Sequence, residues 1–410
     1  MKEQMSETSQ HRNAIVTILT PVHVSTGKQI DPVVYKSQGR VVKRYAMEDI
    51  LSSLPEKQLL DREKLGRLTR GSNSKKDFYS IFGVGSSFSK EPLYELNWYG
   101  RQSIQEEIQS SQGGNPGSRL ISEQIKALGK PIIPGSTLKG AIECAFKYKL
   151  IKDHFSEVAS RLESFCRKKS KLTSPLFYFE LVYGIDTRTA EKEYREFLSE
   201  LYGCLSVSDI CFSSMDLLYV RRYPYEDNPK REIPLGYAEY ITNGSVTRLP
   251  YPIQVNTKKA EYLKKKYHNN SICLDLIERF CSLDNLQMAI QTYTKDLVLE
   301  EDLPRGLFLQ GKEDVDRATE AQSASNKDLV IRIGKNTSYF YKTVSKLFYD
   351  GTQEHHTSHL FDDYFQDVFS PVSRNHKPQP HPEDFPGTFS FPEKYDEPYY
   401  GGFIKISYVD

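Results

Sequence analysis

Pro131-Ile132-Ile133-Pro134-Gly135-Ser136-Thr137-Leu138-Lys139-Gly140 is a loop punctuated by proline and glycine that runs straight into an amphipathic segment. From Leu138 onward the apolar residues Leu138, Ala141, Ile142, Ala145, Phe146 and Leu150 fall at helical spacing, which commits one face to a core. Ser136 is the natural N-cap. A capping box would put Glu or Gln three residues after that cap, whereas this chain puts Lys139 there, at the positive end of the helix dipole. The placement is locally unfavourable unless an anion sits at the helix start, where backbone N–H groups, a hydroxyl and the Lys139 ammonium would converge on a phosphate. Gly140, which costs about 1 kcal/mol relative to alanine inside a helix, fits a close approach to the backbone. An ordinary capped helix with Lys139 in water explains the same residues, and on local chemistry the two readings stand level.

The surrounding chain tips the balance. It has 410 residues with 38% hydrophobic and 27% charged content and a net charge of only +1, the profile of a soluble globular protein of two domains with insertions. The charge is unevenly spread. Residues 126–171 hold eleven Lys/Arg against four Asp/Glu, and residues 350–410 hold four against eleven. The opening stretch thus lies in the most basic tract, which suits a polyanionic partner and could equally be a solvated helix face. There is no run of eighteen apolar residues and no signal-peptide core at the start, so no membrane association and a cytoplasmic location are expected. The six cysteines form no C-x-x-C pair and read as buried thiols.

In chain order, 14–20 reads as a buried β-branched strand ending at Pro21, followed by the turn Val22-His23-Val24-Ser25-Thr26-Gly27-Lys28, a hairpin about Gly39 and a short helix from Met47. Residues 56–130 are polar and poorly periodic and are taken as an insertion. Helix continues over 153–170, strands follow at 205–210 and 217–222, and strands at 237–241 and 247–255 flank the Asn243-Gly244 turn. Helices are expected at 257–266, 271–281 and 285–298, a strand at 329–333, a helix at 339–348, a proline-rich acidic flap at 352–398 and a closing strand after Gly401-Gly402. This order indicates an α+β sandwich rather than a parallel barrel.

Several residues could carry chemistry. His23 near Lys28 could be the general base of a metal-independent ribonuclease, although no second acid or base is visible nearby and a histidine at a strand end also suits a structural role or an RNA contact. His355, His356, His359, Asp362 and Asp363 have metal-ligand chemistry, but the proline-rich context offers nothing to fix ligand geometry. Asp209 is a lone carboxylate at a strand end, where capping a turn is the commoner role. Nowhere do acidic residues assemble with metal-nuclease spacing, and no metal or cofactor is called for. Arg332-Ile333-Gly334-Lys335-Asn336-Thr337 repeats the theme of the opening stretch, a glycine turn with flanking cations ahead of a predicted helix. A single-stranded RNA between the two loops would bond its phosphates to backbone N–H and lysine, with Tyr339, Tyr237 or Phe403 available for stacking unless they pack in the core.

With both glycine loops read, the run 133–142 resembles the signature of RAMP proteins, the ferredoxin-like RNA-binding subunits of CRISPR effector complexes. Thr20-Pro21-Val22-His23-Val24-Ser25-Thr26-Gly27 resembles their first-strand motif, Ser206-Val207-Ser208-Asp209 a later strand and Gly401-Gly402-Phe403-Ile404 the closing strand. Ser25-Thr26-Gly27 departs from the more usual glycine-serine-glycine. The chain is most similar to the two-domain RAMP subunit that caps the type III-A Csm complex near the 3′ end of the guide RNA. The resemblance implies two tandem ferredoxin-like (RRM-like) domains, 1–236 with the insertion around 56–130, and 237–410 with a helical insertion and the acidic flap. It implies no catalysis and no cofactor. RNA contacts are expected at His23, Gly135, Ser136, Thr137, Lys139, Arg332, Gly334 and Lys335. The implied partners are the crRNA 3′ region, the neighbouring RAMP backbone subunit, the small subunit, and host nucleases for 3′ trimming in antiviral defence. The alternatives are a RAMP endoribonuclease acting through His23 and the RAMP subunit that grips the crRNA 5′ handle.

Overall fold

The computed structural model describes residues 10–53, 90–100, 104, 120–167, 176–185, 191–224, 233–299, 307–324, 327–337, 341, 344–348 and 388–409. The β-branched run near the start forms β1 (Gln10–Ile18), with Ala14, Val16 and Ile18 turned inward as period-two alternation requires. Then come β2 (Ser25–Ile30), the hairpin β3 (Tyr35–Gln38) and β4 (Val41–Arg44), and helix α1 (Met47–Ser52). The 56–130 region, expected as an insertion, carries paired strands: β5 (Tyr94–Trp98), β6 (Ile121–Gln124) and β7 (Lys126–Ala127). Tyr94, Leu96 and Trp98 alternate with polar residues, a half-buried strand signal diluted by its polar surroundings.

β8 (Lys130–Ile133) feeds α2 (Gly135–Asp153), which buries Leu138, Ile142, Ala145, Phe146 and Leu150 of the expected face, leaves Ala141 half-buried, and also buries Tyr148 and Ile151. α3 (Phe155–Arg167), α4 (Phe177–Tyr183) and α5 (Glu191–Tyr202) follow. Next are β9 (Leu205–Val207), β10 (Ile210–Cys211), β11 (Met215–Pro224), β12 (Ile233–Ile241) and β13 (Tyr251–Val255). Then α6 (Thr257–Lys266), α7 (Ser271–Phe280), α8 (Leu283–Leu299) and α9 (Lys312–Ala324) lead to β14 (Asp328–Arg332). Where helix 339–348 is expected, the described residues hold one 3-10 turn, Ser345–Phe348. The end of the expected flap is strand, β15 (Thr388–Lys394) and β16 (Glu397–Pro398), and the chain closes on β17 (Phe403–Val409).

The architecture is α+β. One antiparallel sheet has the order β14-β17-β1-β13-β9. It draws β1 and β9 from one side of the expected boundary at 236/237 and β13, β14 and β17 from the other, while β12 runs across it. Helices α2 and α8 belong to its core, meeting at Tyr148 and Tyr293, whose ring centroids are 5.0 Å apart, and at the Tyr148 hydroxyl, which donates to Asp296 at 2.9 Å. A second, mixed sheet runs β2-β6-β12-β11-β5-β4-β3, with β15 also on β11, around Tyr35, Val42, Leu96, Trp98, Ile121 and Leu217. A small third sheet, β10-β8-β7, aims β8 at the start of α2. The five described cysteines are free thiols: Cys204 and Cys273 are buried, Cys144 and Cys281 partly so, and Cys211 is exposed. Among the described residues no helix is long and apolar enough to cross a membrane.

Candidate nucleic-acid interface

The start of α2 departs from the cap read in the sequence. Pro134, not Ser136, occupies the cap position, with the φ of −59° that its ring imposes, and no side chain of its own turn caps the helix. The first helical N–H, that of Gly135, is bonded instead by Asp209 Oδ1 at 2.8 Å. Gly135 is what permits this. A Cβ there would lie 1.9 Å from the carbonyl oxygen of Val207, so the helix start and the loop between β9 and β10 touch backbone to backbone, and the carboxylate two residues on comes within reach. A negative charge at this end also suits the helix dipole. Asp209 therefore caps, as a lone carboxylate at a strand end should.

The outward side of the same turn stays open. Ser136 is exposed, Thr137 and Lys139 are half-buried, and no acidic residue lies in the first turn. The Ser136 and Lys139 side chains make no hydrogen bond among the described residues. Gly140 is exposed, with nothing within 4 Å of where its Cβ would be.

The second glycine loop packs against the loop after β1. Gly334 has φ +94°, a conformation glycine adopts readily, and its Cβ would lie 2.5 Å from the carbonyl oxygen of His23. That oxygen accepts the Lys335 backbone N–H at 2.7 Å. The imidazole itself points inward and is 1% exposed, with Nδ1 at 2.7 Å from the Glu239 carbonyl oxygen and Nε2 at 3.1 Å from Ser122 Oγ. Burial pushes its pKa down to about 4, so the ring is neutral near pH 7. What His23 offers this face is backbone, and its ring is out of reach of a substrate. Lys335 is exposed, with Nζ 3.4 Å from Ser122 Oγ, which also lies 3.4 Å from Ser25 Oγ. Thr26, Gly27 and Lys28 on the bulged edge strand β2 are exposed beside them.

Arg332 is placed behind this loop rather than on it. It is 3% exposed, donates from Nε to the Gly401 carbonyl oxygen at 2.9 Å, and sets its guanidinium 4.4 to 4.9 Å from the ring centroids of Tyr341, Tyr400 and Phe403. It thereby fastens β14 to the glycine pair that precedes β17. Phe403 and Tyr237 are both core residues, and Tyr339 lies outside the described residues. On the outer register of β1 and β17, Asn13, Ile15 and Thr17 lie opposite Val409, Ser407 and Lys405, and none of these six carries an aromatic ring for base stacking.

Two buried residues that the sequence did not single out organise the face. Gln124 accepts from the Val24 N–H at 2.7 Å and donates to the Ile132 carbonyl oxygen at 2.9 Å, tying the loop after β1 to the strand entering α2. Glu239 accepts from the hydroxyls of Tyr35 at 2.8 Å and Tyr94 at 2.7 Å, from Gln124 N at 3.0 Å and from Lys126 Nζ at 2.5 Å, a fully engaged buried carboxylate. His23, Gly334 and Lys335 are thus brought together around Ser122. Gly135 to Lys139 join the same scaffold through Gln124 and β8. Among the described residues no group of three His, Cys, Asp or Glu could hold a metal, and the cluster from His355 to Asp363 lies outside them.

A model of the RAMP superfamily matches residues 15–341. No curated protein sequence matches the chain. Among solved structures, a chain of a Csm-crRNA-target RNA ternary complex from a type III-A CRISPR-Cas system, determined by cryo-EM, superposes with a TM-score of 0.57 at 18% identity, covering 97% of this chain and 100% of its own. Csm5 of T. onnurineus superposes with a TM-score of 0.51 at 16% identity, covering 95% and 99%. These likenesses carry the fold, and the family match spans well over half the sequence, including the end of β1, the Gly135–Lys139 turn and the loop at Gly334: the chain belongs to the RAMP superfamily.

Proposed function

We propose that this chain is a non-catalytic crRNA-binding subunit of a type III-A CRISPR (Csm) complex. In this reading it caps the complex at the 3′ end of the guide, docks on the neighbouring RAMP backbone subunit and the small subunit, and supports 3′ maturation by host nucleases in antiviral defence in the cytoplasm. Two ferredoxin-like halves, 1–236 and 237–410, complete the reading, and in it they share the five-stranded sheet that takes strands from both. The observation that carries it is the pairing of cations with glycine turns on one scaffold, the exposed Lys335 beside Gly334 and the half-buried Lys139 beside the uncovered backbone at Gly140. Such surfaces grip a phosphodiester backbone without reading its sequence. The similarity to a chain from a crRNA-containing complex supports the choice of ligand. The buried, neutral His23 leaves the ribonuclease alternative without an accessible base.

Lys139→Ala in the assembled complex tests the reading. Guide RNA retention should fall, and the slope of log affinity against log salt should shrink by about 0.7, the increment for one neutralised phosphate on a single strand. Unchanged retention and slope would refute it. Crosslinking of the complex to guide RNA labelled at one end distinguishes the 3′ cap from the 5′-handle subunit.

A further inference from the structure

Helix α6 carries a feature that the loops do not explain. Its ten residues, Thr257–Lys266, include five lysines and one glutamate. Two lysines are spent within the fold, Lys266 on Glu200 at 2.9 Å and Lys264 on Glu278 at 3.3 Å. Lys258 and Lys265 are exposed and make no ion pair among the described residues, with each other's neighbour Glu261 included. Between them stands Tyr262, 59% exposed on a helix whose apolar needs Ala260 and Leu263 already meet. Spacings of four and three residues put Lys258, Tyr262 and Lys265 on one face, with the lysines about 10 Å apart along the axis. An exposed ring between two unpaired ammonium groups gains nothing for folding, and Lys258 and Lys259 sit in a first turn with no acidic residue, at the positive end of the dipole.

The same helix adjoins the Gly135–Lys139 turn. The Asn256 N–H, at the cap of α6, donates to the Cys204 carbonyl oxygen at 2.9 Å, and Lys259 Nζ lies over Gly203, 2.3 Å from where a Cβ would be. The Cys204 thiol pKa is lowered first by its hydrogen bond with the Cys281 thiol and then by the nearby ammonium groups of Lys259 and Lys139. Directly after Cys204 begins β9, whose Val207 is the residue on which Gly135 rests. The two basic helix starts therefore flank one short piece of backbone.

We propose that this face of α6 continues the RNA interface: single-stranded RNA leaving the Gly135–Lys139 turn runs along the helix, with phosphates on Lys258 and Lys265 and a base stacked on Tyr262. The inference rests on the RNA-binding reading above and adds a second contact region to it. Charge selects a polyanion, and the solitary exposed ring selects one with unpaired bases over a duplex.

The test uses the full-length protein with a labelled single-stranded oligoribonucleotide, titrated at several salt concentrations. Lys258→Gln with Lys265→Gln should lower the salt slope by about 1.4, two phosphates' worth. Tyr262→Ala should weaken binding about tenfold with an unchanged slope, while Tyr262→Phe should bind as wild type and 4-thiouridine in the RNA should crosslink to the peptide containing Tyr262. Wild-type behaviour of all α6 variants alongside weakened binding by Lys139→Ala would overturn the α6 path and leave the loop site standing. Wild-type behaviour of both sets would overturn both. Loss of a protein partner from the complex with RNA affinity unchanged would mean that an acidic protein surface docks here, and would overturn the proposal.

Discussion

Acidification should destabilise this fold through His23, and the surroundings of the ring set the size of the effect. Desolvation by burial is the largest influence on it, outweighing the hydrogen bond to the Glu239 carbonyl oxygen that favours the charged form, and the ammonium groups of Lys335 and Lys126 push the same way as burial. The folded chain therefore takes up this proton only near pH 4, against an ordinary value of 6.5 in the unfolded chain. Because the folded pKa is the lower one, the contribution is fully present above pH 6.5 and is lost as pH falls towards 4. Each pKa unit corresponds to about 1.4 kcal/mol, so the full loss is about 3 kcal/mol, with about 2 kcal/mol gone by pH 5. Carboxylates titrate in the same range, so the measurement has to be a difference. Urea unfolding of the wild type and of His23→Gln at pH 7 and pH 5 provides it. At pH 7 the variant should be less stable by about 1 to 2 kcal/mol for the disrupted buried hydrogen bonds. At pH 5 that gap should close or reverse, because the variant has no proton to exclude. A gap that is the same at both pH values would refute the buried neutral ring, and with it the argument that His23 supports the interface only through its backbone.

Two further outcomes follow from the same scaffold. Gly135→Ala should cost about 1 to 3 kcal/mol or more, since the obstructing atom is the Val207 carbonyl oxygen and no side chain can move aside; Gly140→Ala, in open space, should instead stabilise by about 1 kcal/mol, and thermal midpoints of the two variants should move in opposite directions. Glu239→Gln should lose about 3 kcal/mol in urea unfolding, because Lys126 would keep a mostly buried charge without its counterion, and a loss under 1 kcal/mol would mean that Glu123, 3.7 Å from Lys126 Nζ, takes over the pairing.

Local pattern was enough for α2, β1 and β17, where periodicity and burial coincide. It was not enough for β15. Phe389 and Phe391 alternate as a strand should, but they sit at the end of a long acidic, proline-bearing tract, and what makes them strand is pairing with Tyr223 and Arg221 more than 160 residues earlier. The polar hubs were illegible for the same reason. Nothing local marks Glu239 as buried, since its four donors come from β3, β5, β6 and β7. Arg332 misled in the opposite sense, being a cation beside a glycine turn in sequence and an aromatic-lined clasp in space.

Lys139 shows what the structure adds to a local anomaly. A lysine in the first helical turn suggests an anion at the helix start, and the fold does place one there, the Asp209 carboxylate on the Gly135 N–H. That carboxylate satisfies the helix end from below without pairing with Lys139, which makes no ion pair among the described residues. The end-on position that a phosphate would take at a bare helix N-terminus is thus already filled. A bound RNA must lie across the outer side of the turn, over Ser136, Lys139 and the uncovered backbone at Gly140, rather than on the helix axis. Asp209→Asn keeps the hydrogen bond and removes the charge, so in this geometry it should strengthen RNA binding through reduced repulsion, by less than tenfold at low salt. Had the axial site been the one RNA uses, removing the occupant altogether with Asp209→Gly would raise affinity far more than Asp209→Asn; equal gains from both would place the RNA on the outer side.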